Sequence, residues 1–137
     1  EVRRSVVDAL REIGDAKAID PFGFAIVALR LALVGDPKGS RKKDDDLEVR
    51  RSVVDALREI GDSMAIEVLH LALVGDHQAD IKKDKDREIR RGVVDALREI
   101  GDAKAIEVLR LALVGDGQLG IKQDDDFEVR RSVVDAL

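Results

Sequence analysis

The sequence predicts an all-α solenoid of stacked helix pairs, with about three and a half repeats and seven helices. Three observations carry that expectation. The phrase EVRRSVVDALREIGD, followed by AIEVLRLALVGD, recurs with small changes from Glu1, Glu48 and Glu88, and a half copy runs from Glu128 to Leu137. Self-similarity of this kind makes the repeat, rather than the whole chain, the unit of folding. Charged residues make up 39% of the 137 residues and aromatics only 2%, which suits a helical array with wet outer faces better than a sheet sandwich. Within each copy the apolar residues fall at spacings of three and four, the period of a helix buried on one side. The chain therefore reads as a single array with repeats at 1–47, 48–87 and 88–127 and a half repeat at 128–137.

The first copy opens on a helix, EVRRSVVDALRE, and its second clause is seven residues longer than in the other copies, an insertion assigned to Pro21 through Val27. Seven residues is two helical turns, so a longer helix would keep its stripe aligned. Asp20 and Pro21 favour a fresh start instead, Asp20 as N-cap and Pro21 at the first helical position, because proline inside a helix under way would break it. The longest apolar stretch, Phe22 to Gly35, is interrupted by Arg30 and is shorter than the ~18 to 20 residues of a membrane span, so it reads as a buried helix.

In the second copy Val49, Val53, Ala56, Leu57 and Ile60 form the apolar stripe of a first helix, with Arg50, Arg51, Asp55, Arg58 and Glu59 on its other side. Asp46 stands where an N-cap belongs, Glu48 adds negative charge at the positive end of the helix dipole, and Gly61 supplies the stop. Asp86, Gly101 and Asp126 repeat these roles. Asp62 turns the chain into a second helix, about Met64 to Val74, with Ala65, Ile66, Leu69, Ala72 and Leu73 facing inward and Gly75 closing it. Such a helical hairpin cannot bury both apolar faces alone, and stacking on the next hairpin solves that. Val54 and Ala56 are the expected contacts to the neighbouring repeat. The connections PKGSRKKDDD, HQADIKKDKD and GQLGIKQDDD are long and polar, with Ile81 or Ile121 placed to tuck under the loop and the tips expected to be mobile.

The chain resembles the HEAT-like repeats of the phycobilisome-lyase type, including the artificial repeat proteins built on that consensus. The resemblance rests on GD-x-x-A-I/V-x-x-L-x-x-A-L after EVRRxVVxALxEIG, and so on Glu48 to Arg51, Glu128 to Arg131, Ala56, Leu57 and Gly61-Asp62, and it spans all the copies. It implies a right-handed stack whose second helices line the concave side, and a polar ladder that maps onto Arg50 or Arg51 with Asp62. The long connections depart from the family pattern. The fold hosts chromophore lyases, iron hydroxylases, DNA glycosylases and plain binding scaffolds, so it does not fix the chemistry. A hydroxylase needs His-Glu pairs, whereas His70 is followed by Leu71 and His77 by Gln78; a glycosylase wants a basic, aromatic groove, and the chain has no Trp or Tyr.

The remaining motifs have structural readings. Gly115, Gly117 and Gly120 spell G-x-G-x-x-G, but behind a helix rather than a strand, which points to a loop. Asp44, Asp45, Asp46 and Glu48, like Asp124 to Asp126 and Glu128, crowd carboxylates without the glycine and terminal glutamate of a calcium loop; capping and adjacent lysines account for them. His70 corresponds to Arg30 and Arg110, so it marks a solvated position rather than a ligand. Ser5, Ser52 and Ser132 sit inside first helices with no base nearby. No catalytic group, metal or cofactor is expected. The formal charge of −5 argues against nucleic acid, and no span argues for a membrane. The absence of cysteine and of a signal-like start points weakly to the cytoplasm.

Copies two and three match at 29 of 40 positions, and six of the 11 differences lie in the connection. A fixed frame with altered contact positions gives that pattern, as does recent duplication with relaxed loops. Arg30, Leu31, Val34, Glu67, His70, Leu71, Val74, Glu107, Arg110, Leu111 and Val114 line one face of the second helices and form the candidate partner surface, provided the connections do not fold over its apolar members. The first expectation is a non-enzymatic scaffold for a protein or peptide. The second is head-to-tail self-association into a ring or filament, since residues 1–10 and 128–137 are the same ten letters and neither end carries a polar cap. The third is a fragment of a lyase-like enzyme. Near-verbatim copies and a start without Met also fit an engineered or truncated array, against which the irregular insertion argues.

Overall fold

A computed structural model describes residues 20–36 and 42–137. Among them the chain forms six helices: α1 (Asp20–Val34), α2 (Leu47–Ile60), α3 (Ser63–Val74), α4 (Arg87–Ile100), α5 (Ala103–Val114) and α6 (Phe127–Ala136). The seventh expected helix, at the start of the first copy, lies outside the described residues; α1 runs from Asp20 through Pro21, the two residues of the expected restart. The helices form two rows. First helices α2, α4 and α6 pack side by side, second helices α1, α3 and α5 do the same, and each second helix also touches the first helix of the next repeat.

Local chemistry sets the boundaries. The Asp46 carboxylate accepts from the amides of Glu48 and Val49 at the start of α2, and Asp126 does the same for α6. Asp62 and Asp102 each accept from an amide of the first turn of α3 and α5. Gly61 and Gly101 end α2 and α4 in the left-handed conformation. Gly75 is held more tightly, at φ 74° and ψ −173°, with the Ile81 carbonyl oxygen 2.6 Å from where a Cβ would stand. That backbone region is open essentially to glycine alone.

The core is the aliphatic stripe the periodicity marks. Val49, Val53, Ala56 and Leu57 of α2 and Ala65, Ile66, Leu69, Ala72 and Leu73 of α3 are all buried, and Val54 is buried toward the next repeat. In α1 the buried set is Ala25, Ile26, Leu29 and Leu33, the counterparts of Ala65, Ile66, Leu69 and Leu73. The additional residues of the first copy therefore stand before Ala25 rather than at Pro21 to Val27, and Val27 is the counterpart of Glu67.

Two sequence expectations are corrected on the other side of the first helices. Arg50, assigned to the wet side, is only 1% exposed. Nor does it pair with Asp62, which caps α3: Arg50 Nε donates to the Asp84 carboxylate at 3.0 Å, and its Nη2 pairs with Asp86. Arg51 instead reaches Glu88 at 3.8 Å on the surface. Asp86, paired with Arg50, occupies the N-cap position of α4 without a side-chain cap hydrogen bond.

Candidate functional site

The long connections are ordered by these arginines. Asp84 donates its amide to the Ala72 carbonyl at the end of α3, its carbonyl accepts from Arg90 Nη1 at 2.7 Å, and its carboxylate accepts from Arg50. One repeat on, Asp124 donates to the Ala112 carbonyl, accepts from Arg90 Nε at 2.8 Å on its carboxylate, and accepts from Arg130 Nη1 at 2.7 Å on its carbonyl. Each of these two connections is thus gripped by the first helices on both sides of it. Asp84, Asp124, Arg50 and Arg90 are all buried, and among the described residues no buried side-chain nitrogen or oxygen lacks a partner. In a buried charge pair so satisfied, desolvation offsets much of the attraction, but removing one partner strands the other. Lysines contribute at the edge: Lys83 Nζ lies 3.9 Å from Asp124 and 2.9 Å from Asp125, whose carboxyl is held below its ordinary range by that hydrogen bond.

Beyond the clamp the connection closes a small turn. Asp76 and Ile81 exchange two backbone hydrogen bonds of 2.8 and 2.9 Å, and the Asp76 carboxylate accepts from the amides of Gln78 and Ala79. Asp116 and Ile121 repeat the bridge. Ile81 is buried as expected, while Ile121 is half-buried. The glycines of the G-x-G-x-x-G run serve this turn: Gly115 is pressed against the Ile121 carbonyl and Gly120 has φ 72°, matching Asp80 at φ 58° in the sister copy. The His77 ring lies 3.6 to 3.7 Å from where a Gly120 Cβ would be, so neighbouring tips touch. Among the described residues no three His, Asp or Glu side chains gather as metal ligands.

The candidate surface residues on the second helices divide into two sets. Leu71 and Leu111 are buried, and Leu31, Val34 and Val74 are half-buried, so the connections and neighbouring helices cover most of the expected apolar groove; only Val114, at 59% exposure, stays open. Arg30, Glu67, Glu107 and Arg110 are exposed. Arg30, Leu31, Glu67 and Leu71 share a groove of about 590 Å³ between α1 and α3 with Val27, Met64 and Ile81. Val27 and Met64, 57% and 49% exposed, are the residues that the sequence reading missed. The signal was there in the copies, but assigning the insertion to Pro21 through Val27 removed Val27 from the comparison.

Electrostatics differ from copy to copy on this face. Arg110 donates to Glu107 at 2.6 and 3.0 Å; that bond holds the Glu107 carboxyl below its usual range and raises the guanidinium. His70, at the same position of the repeat, is half-buried, and desolvation pulls its pKa below the ordinary histidine value, with Glu67 and Asp76 opposing and Lys104 assisting. The neutral imidazole is thereby favoured.

A helical repeat protein with a clamped polar spine on one side and a varied face on the other is the class these features define. The model of HEAT repeats matches residues 40–137, and that of the PBS lyase HEAT-like repeat matches residues 2–27. The chain belongs to the HEAT repeat family. No curated protein matches it. HEAT repeats generally serve as scaffolds for protein interaction, and no helix among the described residues is long and apolar enough to cross a membrane.

Proposed function

We propose that the chain is a non-enzymatic scaffold that binds a protein or peptide through the second-helix face, α1, α3 and α5, and the adjoining connection tips. The observation that carries this reading is where the copies differ. Arg50 and Arg90 hold the same contacts with Asp84 and Asp124. On the second-helix face, by contrast, Met64 stands opposite Lys104 and His70 opposite Arg110, and at the tips Ala79 opposite Leu119. A partly exposed surface that varies over a fixed frame suits contact with something outside the chain. The test is selection of peptide binders against the chain, followed by charge reversal of each side. Binders that lose affinity with Glu67→Lys and Arg110→Glu but keep it with Arg51→Glu and Arg91→Glu support the reading; the opposite pattern overturns it.

A second reading, self-association, has its own support. Val134 of α6 is 57% exposed, whereas its counterparts Val54 and Val94 are buried, and Leu137 and Val114 are exposed beside the same end of the stack. Light scattering over a hundredfold range of concentration decides it: a rising mass supports association, and a constant 15.0 kDa excludes it. A lyase-like role rests on the second family match alone.

A further inference from the structure

The two grooves between successive second helices are built from the same repeat positions and finished differently. Between α3 and α5, Lys104 Nζ lies 3.7 Å from the Glu67 carboxylate and 3.4 Å from the Ser63 carbonyl oxygen, so an ion pair crosses the groove. One repeat earlier those two positions are Met64 and Val27, an apolar pair with about half of each side chain in water. The same change strips Arg30 of a partner. Arg110 is clamped by the glutamate three residues before it, but Val27 stands in that place before Arg30. Arg30 is exposed and forms no ion pair or hydrogen bond among the described residues.

The other charges around the α1–α3 groove are already engaged. Asp76 accepts from two amides of its own turn, Glu67 faces Lys104, and Asp36 has a partner. These bonds occupy the carboxylates without removing their charge; Arg30 is the charged side chain of the groove whose donors stay open, and a carboxylate is the group that satisfies them. Covering Val27 and Met64 supplies a hydrophobic gain, and a planar guanidinium beside them receives a carboxylate on two parallel hydrogen bonds.

We propose that the α1–α3 groove binds a partner-protein segment in which an aliphatic side chain neighbours an aspartate or glutamate, the aliphatic group covering Val27 and Met64 and the carboxylate pairing with Arg30. The proposal rests on the second-helix reading above and narrows it to one groove and one chemistry. The α3–α5 groove, closed by Lys104 and Glu67, is excluded as a second copy of the site.

Met64 is the single methionine of the chain, so methyl-labelled methionine gives one NMR signal inside the groove. The probes are three blocked octapeptides: Gly-Ser-Leu-Glu-Leu-Glu-Ser-Gly, its counterpart with Lys for Glu, and its counterpart with Ser for Leu. The Leu-Glu peptide is expected to shift the Met64 signal at concentrations at least ~tenfold lower than either counterpart, Arg30→Gln to weaken it by a similar factor, and the pair Val27→Glu with Met64→Lys to abolish binding, read from backbone amides. Arg30 and Val27 are exposed, so these variants should keep the helical circular dichroism of the parent. An unmoved Met64 signal, equal or tighter binding of the Leu-Lys peptide, or indifference to Arg30→Gln overturns the proposal. If the Leu-Glu peptide shifts amides of α5 alone, the groove fails and the second-helix reading stands; if it shifts only α2 and α4, both fail.

Discussion

Arg50 and Arg90 make the same Nε and Nη1 hydrogen bonds to successive connections and differ only in where Nη2 reaches, whereas His70 and Arg110, which also share one position of the repeat, do unrelated things. The difference lies in burial. A guanidinium without water must find every partner inside the protein, and the geometry of one helix between two connections fixes its Nε and Nη1 partners. A side chain at the solvent edge of α3 or α5 has water as an alternative partner, so arginine and histidine are both tolerated there. One side of the stack fixes register; the other is free to specialise.

The contrast is broken most severely on the buried side. Asp84→Ala leaves Arg50 without its main carboxylate and is expected to cost ~3 to 5 kcal/mol in urea unfolding at neutral pH, while Arg50→Met combined with Asp84→Leu should recover most of that loss. If the single variant costs no more than a surface change, the spine is not what holds the register. Gly75→Ala comes next, at about 2 to 3 kcal/mol from the disfavoured backbone and the close Ile81 carbonyl, against a change within about 0.5 kcal/mol for Gly117→Ala, where nothing lies within 4 Å. Thermal unfolding of the two variants side by side makes that comparison.

On the varied side the effects shrink. Turning the first groove into the second, with Val27→Glu and Met64→Lys, adds an exposed ion pair and should change stability by about 1 kcal/mol or less, even though it removes the peptide site. The smallest effect is a pH slope. The His70 pKa is lowered in the folded chain, so below about 6.5 the unfolded chain takes up a proton that the folded chain resists. The parent's stability contribution from this group is complete above that value and declines as pH falls toward the folded pKa. Urea midpoints at pH 7.5 and 5.5 should therefore drop further for the parent than for His70→Arg, and equal drops would show that desolvation of His70 has no energetic weight.

The repeat, the Asp caps, the glycine stops and the inward stripe could be read from the letters because they are local: each depends on residues within one or two turns. Ile81 was legible for the same reason, a lone aliphatic in a polar run. The spine was not. Arg50 finds Asp84 across 34 positions, and hydrophobic periodicity places an arginine on the wet side because it counts polarity and not partners. Asp84 was equally hidden, since within KKDKD it looks like any solvated charge. The α1–α3 groove was legible in part: Arg30, Leu31, Glu67 and Leu71 were named, but Val27 was lost to the placing of the insertion, and the burial of Leu71 depends on how a connection folds back.

The Asp76–Ile81 bridge stands between the clamp and the loop tip, and it acts as a firewall. Changes at 77–80 stop at a closed pair of backbone hydrogen bonds before they reach Asp84. The two tips already read HQAD and GQLG over the same closure. A foreign sequence spliced between Gln78 and Ala79 would inherit two anchored ends, so this chain carries, at each of these two tips, a ready-made slot for acquiring new text without rewriting the old.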